Sequence, residues 1–304
     1  MHSRRSTSGV ERKMMEFGLF PNMGKMKLYD FFPKFLNLLE RKNINFYITE
    51  DVKQRFEAKG IFISEEHYKS VQWIGEHVKY VFSIGGDGSF LEASKAFSRY
   101  SVFLVGIHLG DLGFLNSILM ENVEQRIEQI LHEEYILESK TFLASFLIHQ
   151  DRTKEALPAV INDIVIGRTE IGKMVRIQLW INNVFAQQYP CDGLIISTAT
   201  GSTGYAFSCG GPILHPSSNE LLVVPISAHT LSKFSAVLSN DAQIKVTLPE
   251  REKEVRISAD GNGCYCMKQS DTLIIKCCKR PIRFIRFRDQ DFWNDLTEKL
   301  VRKS

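Results

Sequence analysis

The hydrophobic positions of this 304-residue chain follow two different patterns, which meet at about residue 138. In the first pattern, short apolar runs alternate with segments whose apolar residues recur every three or four positions, the spacing of one helical face. The apolar runs at residues 17–20, 46–48, 80–84 and 102–105 predict strands, and the periodic segments predict helices. Strands that alternate with helices in this way predict a parallel sheet covered on both faces, in a Rossmann-like α/β domain.

The predicted helices differ in how clearly their apolar faces are marked. The first is the clearest, and its face consists of Leu28, Phe31, Phe32, Phe35, Leu38 and Leu39. A weaker helical region holds Tyr68, Val71 and Ile74. A further helix follows the third apolar run, with Phe90, Ala93, Ser94 and Phe97 on one face. The last helix of this domain is predicted at residues 123–131.

Beyond residue 138 the apolar residues mostly alternate with other residues, which is typical of strands with one buried face. The alternation is clean at residues 175–181 and weaker at 142–148, where it falls on Phe142, Ala144, Phe146 and Ile148. Asn182-Asn183 predicts a hairpin turn. Further strands are predicted at residues 221–224, 243–248, 255–258 and 272–277. Consecutive strands without helices predict an antiparallel all-β sandwich domain over residues 139–280.

The two ends of the chain depart from the pattern next to them. Residues 1–14 show no periodicity and predict a disordered leader. A strand at residues 283–287 and a helix at 292–300 return to a mixed α/β character. We therefore expect this C-terminal segment to pack back on the first domain, which would comprise residues 15–138 and 281–304.

Composition narrows the class of protein. With 44% hydrophobic and 24% charged residues, the chain is expected to be a soluble two-domain protein. A net charge of +3 is too small to favour a nucleic-acid partner, and no apolar stretch is long enough to span a membrane. The six cysteines form no Cys-x-x-Cys pair and follow no secretory signal, so we expect reduced thiols in a cytoplasmic protein.

The candidate chemistry begins at Gly85-Gly86-Asp87-Gly88, directly after the third apolar run. A strand, a glycine turn and a helix N-terminus in succession let backbone N–H groups bind an anion such as phosphate. Asp87 is unexpected there because its carboxylate repels phosphate. Either a divalent cation neutralises it, or it acts on the group that attacks the phosphate. The alternative is that Asp87 only caps the following helix.

Three further polar groups lie in the β region. Asn162-Asp163 interrupts an apolar strand, which a bulge or an edge position would explain, but ligand hydrogen bonding explains it better because unpartnered buried polar groups are costly. Asp192-Gly193 and the hydroxyl-rich run at residues 198–205 bury little apolar surface, and they suit a phosphorylated, polyhydroxylated ligand. Asp260-Gly-Asn-Gly263 is interpreted as a turn.

Several familiar enzyme motifs are absent. Residues 167–174 have the Gly-x4-Gly-Lys spacing of a P-loop, but the Ser or Thr that would hold the metal is missing and a strand, not a helix, is predicted to follow. The turn at Asp87 is not a Gly-x-Gly-x-x-Gly fingerprint, and no Gly-x-Ser-x-Gly nucleophile elbow occurs. The sequence therefore does not indicate a P-loop NTPase, a dehydrogenase or a serine hydrolase.

Taken in order along the chain, these motifs resemble those of the NAD kinase family, from about Phe17 to the C-terminus. The resemblance is carried by Gly85-Gly86-Asp87-Gly88, Leu109-Gly-x-Leu-Gly-Phe114, Asn162-Asp163, Asp192-Gly193, Thr200-Gly-Ser-Thr-Gly-Tyr205, Gly210-Gly-Pro-Ile-Leu-His-Pro216 and Pro225-Ile-Ser-x-His-Thr-Leu231. The Gly-Gly-Asp-Gly box is shared with lipid kinases and, more distantly, phosphofructokinases. The Thr-Gly-Ser-Thr run with its Gly-Gly-Pro sequence is far more specific.

The resemblance implies transfer of the ATP γ-phosphate to the 2′-hydroxyl of the adenosine ribose of NAD, giving NADP. Asp87 would be the general base, the turn residues Gly85, Gly86 and Gly88 would hold the phosphates, and Mg²⁺ would arrive with ATP and without ligands from the protein. A homodimer or homotetramer is also implied. The implied NAD contacts are Asp87, Gly88, Asn162, Asp163, Lys173, Asp192, Thr203, Gly204, Tyr205, Ala206, Phe207, Ser208 and Asn262.

The sequence departs from the family pattern at three places. Gly204 replaces the usual Ala before Tyr205, Asp111 stands where the family often has His, and Lys233-Phe234-Ser235 replaces Phe-Arg-Pro, which removes an arginine. Two alternatives stay open at this point, a second kinase and a protein from another class. One is a lipid kinase of the diacylglycerol or sphingosine type, and the other is a non-catalytic nucleotide-binding sensor in which Asp87 is only a cap.

Overall fold

The structure, a computed structural model, describes residues 15–110, 113–170, 172–229 and 234–302, the last four of them by their backbone alone. The predicted leader at residues 1–14, Asp111 and Lys233 lie outside this part of the chain. The chain divides into two compact units. The first comprises the described residues up to Phe90 together with Tyr100–Glu133, and the second comprises Leu91–Arg99 together with the residues from Glu134 onward.

The first unit is an α/β domain built on a parallel sheet. Its elements are β1 (Glu16–Pro21), α1 (Lys27–Arg41), β2 (Asn45–Thr49), α2 (Lys53–Glu57), β3 (Tyr68–Lys69), α3 (Val71–His77), β4 (Tyr80–Gly85), the start of α4 (Asp87–Phe97), β5 (Phe103–His108), β6 (Ile118–Leu119) and α5 (Val123–Leu131). The strands lie in the order β3-β2-β1-β4-β5, with β6 beside β5, and these neighbouring pairs are all parallel. The predicted fold class of this domain is confirmed.

Helix α1 shows how the apolar pattern produces this fold. All six of the predicted face residues are buried, and each contributes about 1.5–3 kcal/mol by leaving water. Phe32 of that face stacks on Phe56 of α2, with ring centroids 4.7 Å apart. The α1 periodicity therefore identified the residues that pack this side of the domain.

The predicted helix from Tyr68 is wrong at its start. Tyr68 lies in β3, and α3 begins only at Val71. The hydroxyl of Ser70 accepts the backbone N–H of Trp73 at 3.1 Å, which is the hydrogen bond of an N-cap. The cap, not the spacing of apolar residues, fixes the first residue of this helix.

The second unit contains an antiparallel β-sandwich. Its elements are β7 (Ile136–Lys140), β8 (Leu143–Ile148), β9 (Lys154–Val160), β10 (Asp163–Gly167), β11 (Val175–Ile181), β12 (Val184–Cys191), β13 (Gly193–Thr198), α6 (Tyr205–Ser208), β14 (Leu221–Ile226), β15 (Ala236–Leu238), β16 (Ile244–Thr247), β17 (Glu254–Ala259), β18 (Asn262–Lys268), β19 (Thr272–Cys277), β20 (Ile282–Arg286) and α7 (Phe292–Arg302). One sheet has the order β15-β14-β13-β10-β17-β18 and the other β12-β11-β16-β19-β8-β9. A single core cluster draws buried residues from both sheets, such as Leu147, Ile166 and Ile177. Strands β20 and β7 pair with each other in antiparallel register and belong to neither of these two sheets.

Two local predictions in this unit have opposite outcomes. The Asn182-Asn183 hairpin is confirmed, because both residues have positive φ (50° and 66°) and Ile181 pairs with Val184. The predicted face is wrong within β8, where the buried positions are Leu143, Ser145 and Leu147, and of the predicted residues only Phe142, just before the strand, is buried. Residues 142–148 are apolar on both faces, so alternation could not identify the inner one.

Within the described residues, no helix combines the length and apolar character needed to cross a bilayer. The domain limits set out above, including the assignment of residues 281–304 to the first domain, stay a prediction.

Candidate active site

Asp87 lies at the carboxyl edge of the parallel sheet, where β4 ends and α4 begins. Its Oδ2 accepts the backbone N–H of Phe114 at 2.8 Å. Its Oδ1 accepts the backbone N–H of Leu115 at 3.2 Å and the side-chain amide of Asn116 at 2.8 Å. Because these bonds hold the carboxylate on the segment that follows β5, its position is fixed by that segment as well as by the start of α4.

Gly113 shows how closely that segment packs on Asp87. A Cβ atom at Gly113 would lie 1.8 Å from Asp87 Oδ1. No side chain fits there without moving the carboxylate, so the glycine in this motif is a requirement of the position of Asp87.

The three glycines around Asp87 serve different purposes. None of them has a positive φ, so backbone freedom is not the reason for glycine here. A Cβ at Gly85 would lie 2.3 Å from Ser89 Oγ, whereas one at Gly86 would meet only His108 Nε2 at 3.8 Å. A Cβ at Gly88 would have no heavy atom within 4 Å, apart from those of its own helix backbone and its chain neighbours. Gly85 is therefore required by packing, while the space beside Gly86 and Gly88 is open to a ligand.

His108 places a hydrogen-bond donor beside that open space. It is the last residue of β5 and is paired with Gly85 in the sheet. Its Nδ1 accepts the backbone N–H of Gly110 at 3.0 Å, so a neutral ring carries its proton on Nε2. Nε2 is the nitrogen that faces Gly86. The sequence pattern did not single out this residue.

Asn162 and Asp163 do not interrupt a strand as predicted, because Ile161 and Asn162 form a bend between β9 and β10. The backbone N–H groups of Ile161, Asn162 and Asp163 all donate to the carboxylate of Asp260. Their carbonyls accept, in the same order, the Thr198 hydroxyl, the Thr198 N–H and the Asp260 N–H. The backbone of the bend is thus satisfied without the side chains of Asn162 and Asp163, which make no hydrogen bond to any described residue.

Asp163 is only 6% exposed. Burial raises its pKa from the ordinary 3.8 to about 6, and the neighbouring Asp260 carboxylate raises it further while Lys95 acts in the opposite direction. A carboxyl that titrates near neutral pH is unusual at a purely structural position and typical of functional sites.

The hydroxyl-rich run is partly structural, which the sequence did not indicate. The Ser202 hydroxyl, fully buried, donates to the Ala199 carbonyl at 2.7 Å and accepts the Leu214 N–H at 3.0 Å. Gly201 packs so closely on the bend that a Cβ would lie 2.3 Å from the Asn162 carbonyl oxygen. This part of the run therefore packs against the bend at Ile161 and Asn162.

The end of the same run is more accessible. Tyr205 and Phe207 are 46% and 39% exposed, Gly204 and Ser208 are also exposed, and Thr203 is half-buried. Ala206 is different, because it is fully buried in a small core with Leu222 and Val224. The implied contact of Ala206 with NAD would therefore come from its backbone, and it stays a prediction.

Asp192 is held by an arginine that the motifs do not include. Arg168 Nη1 donates to Asp192 Oδ1 at 2.6 Å, and the Arg168 N–H donates to the Asp192 carbonyl at 3.1 Å. Arg168 and Lys173 both line a cavity of about 230 Å³. Lys173 is highly exposed and forms an ion pair with Glu170.

Asn262 begins β18 directly after a two-residue turn. Asp260 and Gly261 both have positive φ (50° and 70°), and Ala259 pairs with Asn262, which confirms the predicted turn. The Asn262 amide donates to the Asp260 carbonyl at 3.3 Å and is otherwise exposed.

A larger cavity, of about 450 Å³, lies elsewhere in the first unit and is lined by Phe46, Phe62 and His67, among others. Phe46 is near the start of β2, so this cavity lies at the amino edge of the sheet, away from the carboxyl edge that carries Asp87. None of the predicted site residues lines it. In the described part of the chain, no group of three or more His, Cys, Asp or Glu side chains is placed to hold a metal ion.

Comparison with known proteins gives a consistent result. Residues 17–135 match the model of the ATP-NAD kinase N-terminal domain, and residues 161–287 match that of the ATP-NAD kinase C-terminal domain. NAD kinases of Salmonella enteritidis and Escherichia coli O7:K1 are each 33% identical over 227 residues, covering 75% of this chain and 77% of theirs.

Two solved structures are similar to this fold. Yeast NADH kinase complexed with NADH has a TM-score of 0.84 and 20% identity, covering 95% of this chain and 88% of its own. An NAD kinase from Archaeoglobus fulgidus in complex with ATP has a TM-score of 0.70 and 20% identity, covering 94% of this chain and 98% of its own. At this level of identity the likeness establishes the fold.

Proposed function

The chain belongs to the ATP-NAD kinase family and acts as an NAD kinase; from this premise we propose that Asp87 is its general base. In this proposal Asp87 takes the proton of the 2′-hydroxyl on the adenosine ribose of NAD, while that oxygen receives the γ-phosphate of ATP. The observation that carries the proposal is the Asp87 carboxylate, which three donors fix beside an open glycine turn.

The hydrogen bonds of Asp87 support Oδ2 as the oxygen that takes the proton. A carboxylate oxygen has two lone pairs. Oδ1 already accepts two hydrogen bonds, from Leu115 and Asn116, whereas Oδ2 accepts only one, from Phe114. Oδ2 therefore keeps a lone pair for the substrate hydroxyl, and the bonds from the 114–116 segment fix its direction.

The phosphates of ATP are assigned to the open side of the turn. The backbone N–H of Gly88 at the N-terminus of α4 and Nε2 of His108 are the donors that support this assignment, whereas the N–H of Gly86 donates to the Ser89 hydroxyl at 3.3 Å. Residues 85–89 and 113–116 contain no lysine or arginine. We therefore assign the neutralising charge to Mg²⁺, held by the triphosphate itself.

Activity should require a divalent cation. EDTA is expected to abolish turnover, and added Mg²⁺ to restore it, because no cationic side chain of the turn can replace the metal. The measurement is NADP formation with and without EDTA, with the melting temperature as the control for damage to the fold. Undiminished turnover in EDTA would contradict the metal requirement.

The acceptor NAD is assigned to the second unit. The side chains of Asn162 and Asp163 are free to bind ribose hydroxyls, and the exposed rings of Tyr205 and Phe207 suit the adenine ring. The remaining proposed contacts are Asp192 with its partner Arg168, Lys173, Thr203, Gly204, the backbone of Ala206, Ser208 and Asn262.

We also propose a homodimer or homotetramer in the cytoplasm. The six cysteines are free thiols, as expected in a reducing compartment. Light scattering coupled to size exclusion should give at least twice the 34.8 kDa of one chain, and specific activity should fall on dilution below the dissociation constant. An active monomer would count against the assembly.

One assay separates this function from the alternatives. Purified protein with γ-labelled ATP should label NAD or NADH, whose relative rates give the acceptor preference, and should not label diacylglycerol or sphingosine. Labelled lipid would indicate the lipid kinase, and nucleotide binding without any transfer would indicate the sensor.

A further inference from the structure

Asp260 carries a buried charge to which the proposed mechanism gives no role. Its side chain has no exposed surface. Oδ1 accepts the backbone N–H groups of Asn162 and Asp163 at 2.8 and 3.1 Å. Oδ2 accepts the N–H of Ile161 at 3.1 Å and pairs with Nζ of Lys95, on α4, at 3.0 Å.

The turn at Asp260 does not explain this carboxylate. A residue with positive φ at the first position of a two-residue hairpin is as readily Asn or Gly. Burying an ionised carboxylate is costly unless it is paired and hydrogen-bonded. The partners that offset this cost all lie outside the turn, in residues 161–163 and on α4. We therefore expect the Asp260 carboxylate to serve those residues and not the turn.

The bend needs such a partner because it presents three consecutive backbone N–H groups. Asn and Asp side chains commonly bind neighbouring backbone groups in bends. Here the Asp260 carboxylate binds those groups instead, and the side chains of Asn162 and Asp163 make no hydrogen bond to any described residue. Lys95 neutralises the Asp260 carboxylate. That carboxylate lies close enough to Asp163 to raise the pKa of the Asp163 carboxyl.

We propose that Asp260 and Lys95 are positioning residues for NAD: together they hold the 161–163 backbone so that Asn162 and Asp163 present free side chains to the ribose. The inference rests on the proposed function, because it takes Asn162 and Asp163 to be NAD contacts. Neither positioning residue touches the substrate in this scheme.

The test is the Michaelis constant for each substrate in variants of the pair. Asp260→Asn keeps the side-chain shape and the two Oδ1 bonds but places an NH₂ group against the Ile161 N–H and Lys95. We expect KM for NAD to rise about tenfold or more, with KM for ATP within twofold of the wild type. A loss of folded protein alone would lower the apparent kcat and leave both KM values unchanged.

Asp271→Asn is the matched control. Asp271 is also buried, and it accepts the Lys268 N–H at 2.9 Å and pairs with Nδ1 of His149 at 3.2 Å. This variant should lower the melting temperature without moving either KM. If Asp260→Asn behaves as Asp271→Asn does, Asp260 is merely structural and the proposal is overturned.

Lys95 gives a second test that does not depend on removing the buried carboxylate. Its side chain is 24% exposed, so Lys95→Met should still fold. In Lys95→Met, KM for NAD should rise about fivefold, and in Lys95→Arg it should stay near the wild-type value. In the double variant of Lys95→Met with Asp260→Asn, KM for NAD should not exceed the higher of the two single-variant values. An unchanged KM for NAD in Lys95→Met overturns the role of the pair.

Asn162→Ala separates this inference from the function on which it rests. If Asn162→Ala raises KM for NAD and the Asp260 and Lys95 variants do not, only the positioning role fails. If Asn162→Ala also leaves KM for NAD unchanged, the assignment of NAD to this bend fails, and the positioning role fails with it.

Discussion

Asp87→Asn is expected to lower turnover by about 10²–10⁴-fold. The substitution keeps the size of the side chain but removes its ability to take a proton from the ribose hydroxyl. NAD affinity should change little, because the contacts assigned to Asn162, Asp163 and Thr203 are intact. Turnover by NADP formation and NAD binding by calorimetry are the two measurements.

The structure adds a stability effect to this prediction. An Asn amide oxygen in the place of Oδ1 keeps the bonds from Leu115 and Asn116, but its NH₂ group then faces the Phe114 N–H. One donor is left without an acceptor, at a cost of about 1–3 kcal/mol. The melting temperature should therefore fall by a few degrees.

The helix-cap alternative predicts a different combination. Asn caps a helix about as well as Asp, so a residue that only caps α4 and takes no part in the reaction would leave turnover near its wild-type value, although the unpaired Phe114 N–H would still lower the melting temperature. Turnover close to the wild type would end the general-base proposal, whatever the melting temperature.

How far the sequence predicted the fold depended on whether apolar residues were confined to one face. In α1 they are, and the periodicity identified all six buried residues. In β8 residues on both faces are apolar, and the wrong face was assigned. The parallel and antiparallel character of the two domains followed from the order of elements, which is insensitive to such local errors.

The candidate site was predictable where its residues form contiguous motifs. The turn at Asp87 and the Asn162-Asp163 pair were found this way. Asp260 was interpreted as a turn residue, because its hydrogen-bond partners lie 97 to 99 residues away along the chain. Arg168 was missed for a related reason: it meets Asp192 only because Gly167 and Gly193 are paired across two strands.

Asp163→Asn is expected to stabilise the protein at neutral pH and to weaken NAD binding. Burial and the neighbouring Asp260 carboxylate raise the pKa of Asp163 to about 6 in the folded protein, although Lys95 acts in the opposite direction. Because this is above the ordinary value of 3.8, the folded state binds the proton more tightly than the unfolded chain does. Ionising Asp163 therefore costs stability, and an amide avoids that cost.

The pH window follows from the two pKa values. Below about pH 4 the carboxyl is protonated in both states, so wild type and variant should differ little in the free energy of unfolding. Between pH 4 and 6 the wild type should lose stability relative to the variant, by roughly 3 kcal/mol in total, since each pKa unit corresponds to about 1.4 kcal/mol. Above pH 6 the difference should be constant.

Urea unfolding of both proteins from pH 4 to pH 8 measures this difference. Groups that do not interact with residue 163 titrate alike in the two proteins, so the change in the difference with pH reports Asp163 together with its coupling to Asp260 and Lys95. A difference that does not depend on pH would show that Asp163 is not a buried carboxyl of raised pKa. A different outcome would be a variant that is more stable than the wild type and binds NAD as tightly. It would show that the Asp163 carboxylate lowers the stability of the protein without contributing to NAD binding.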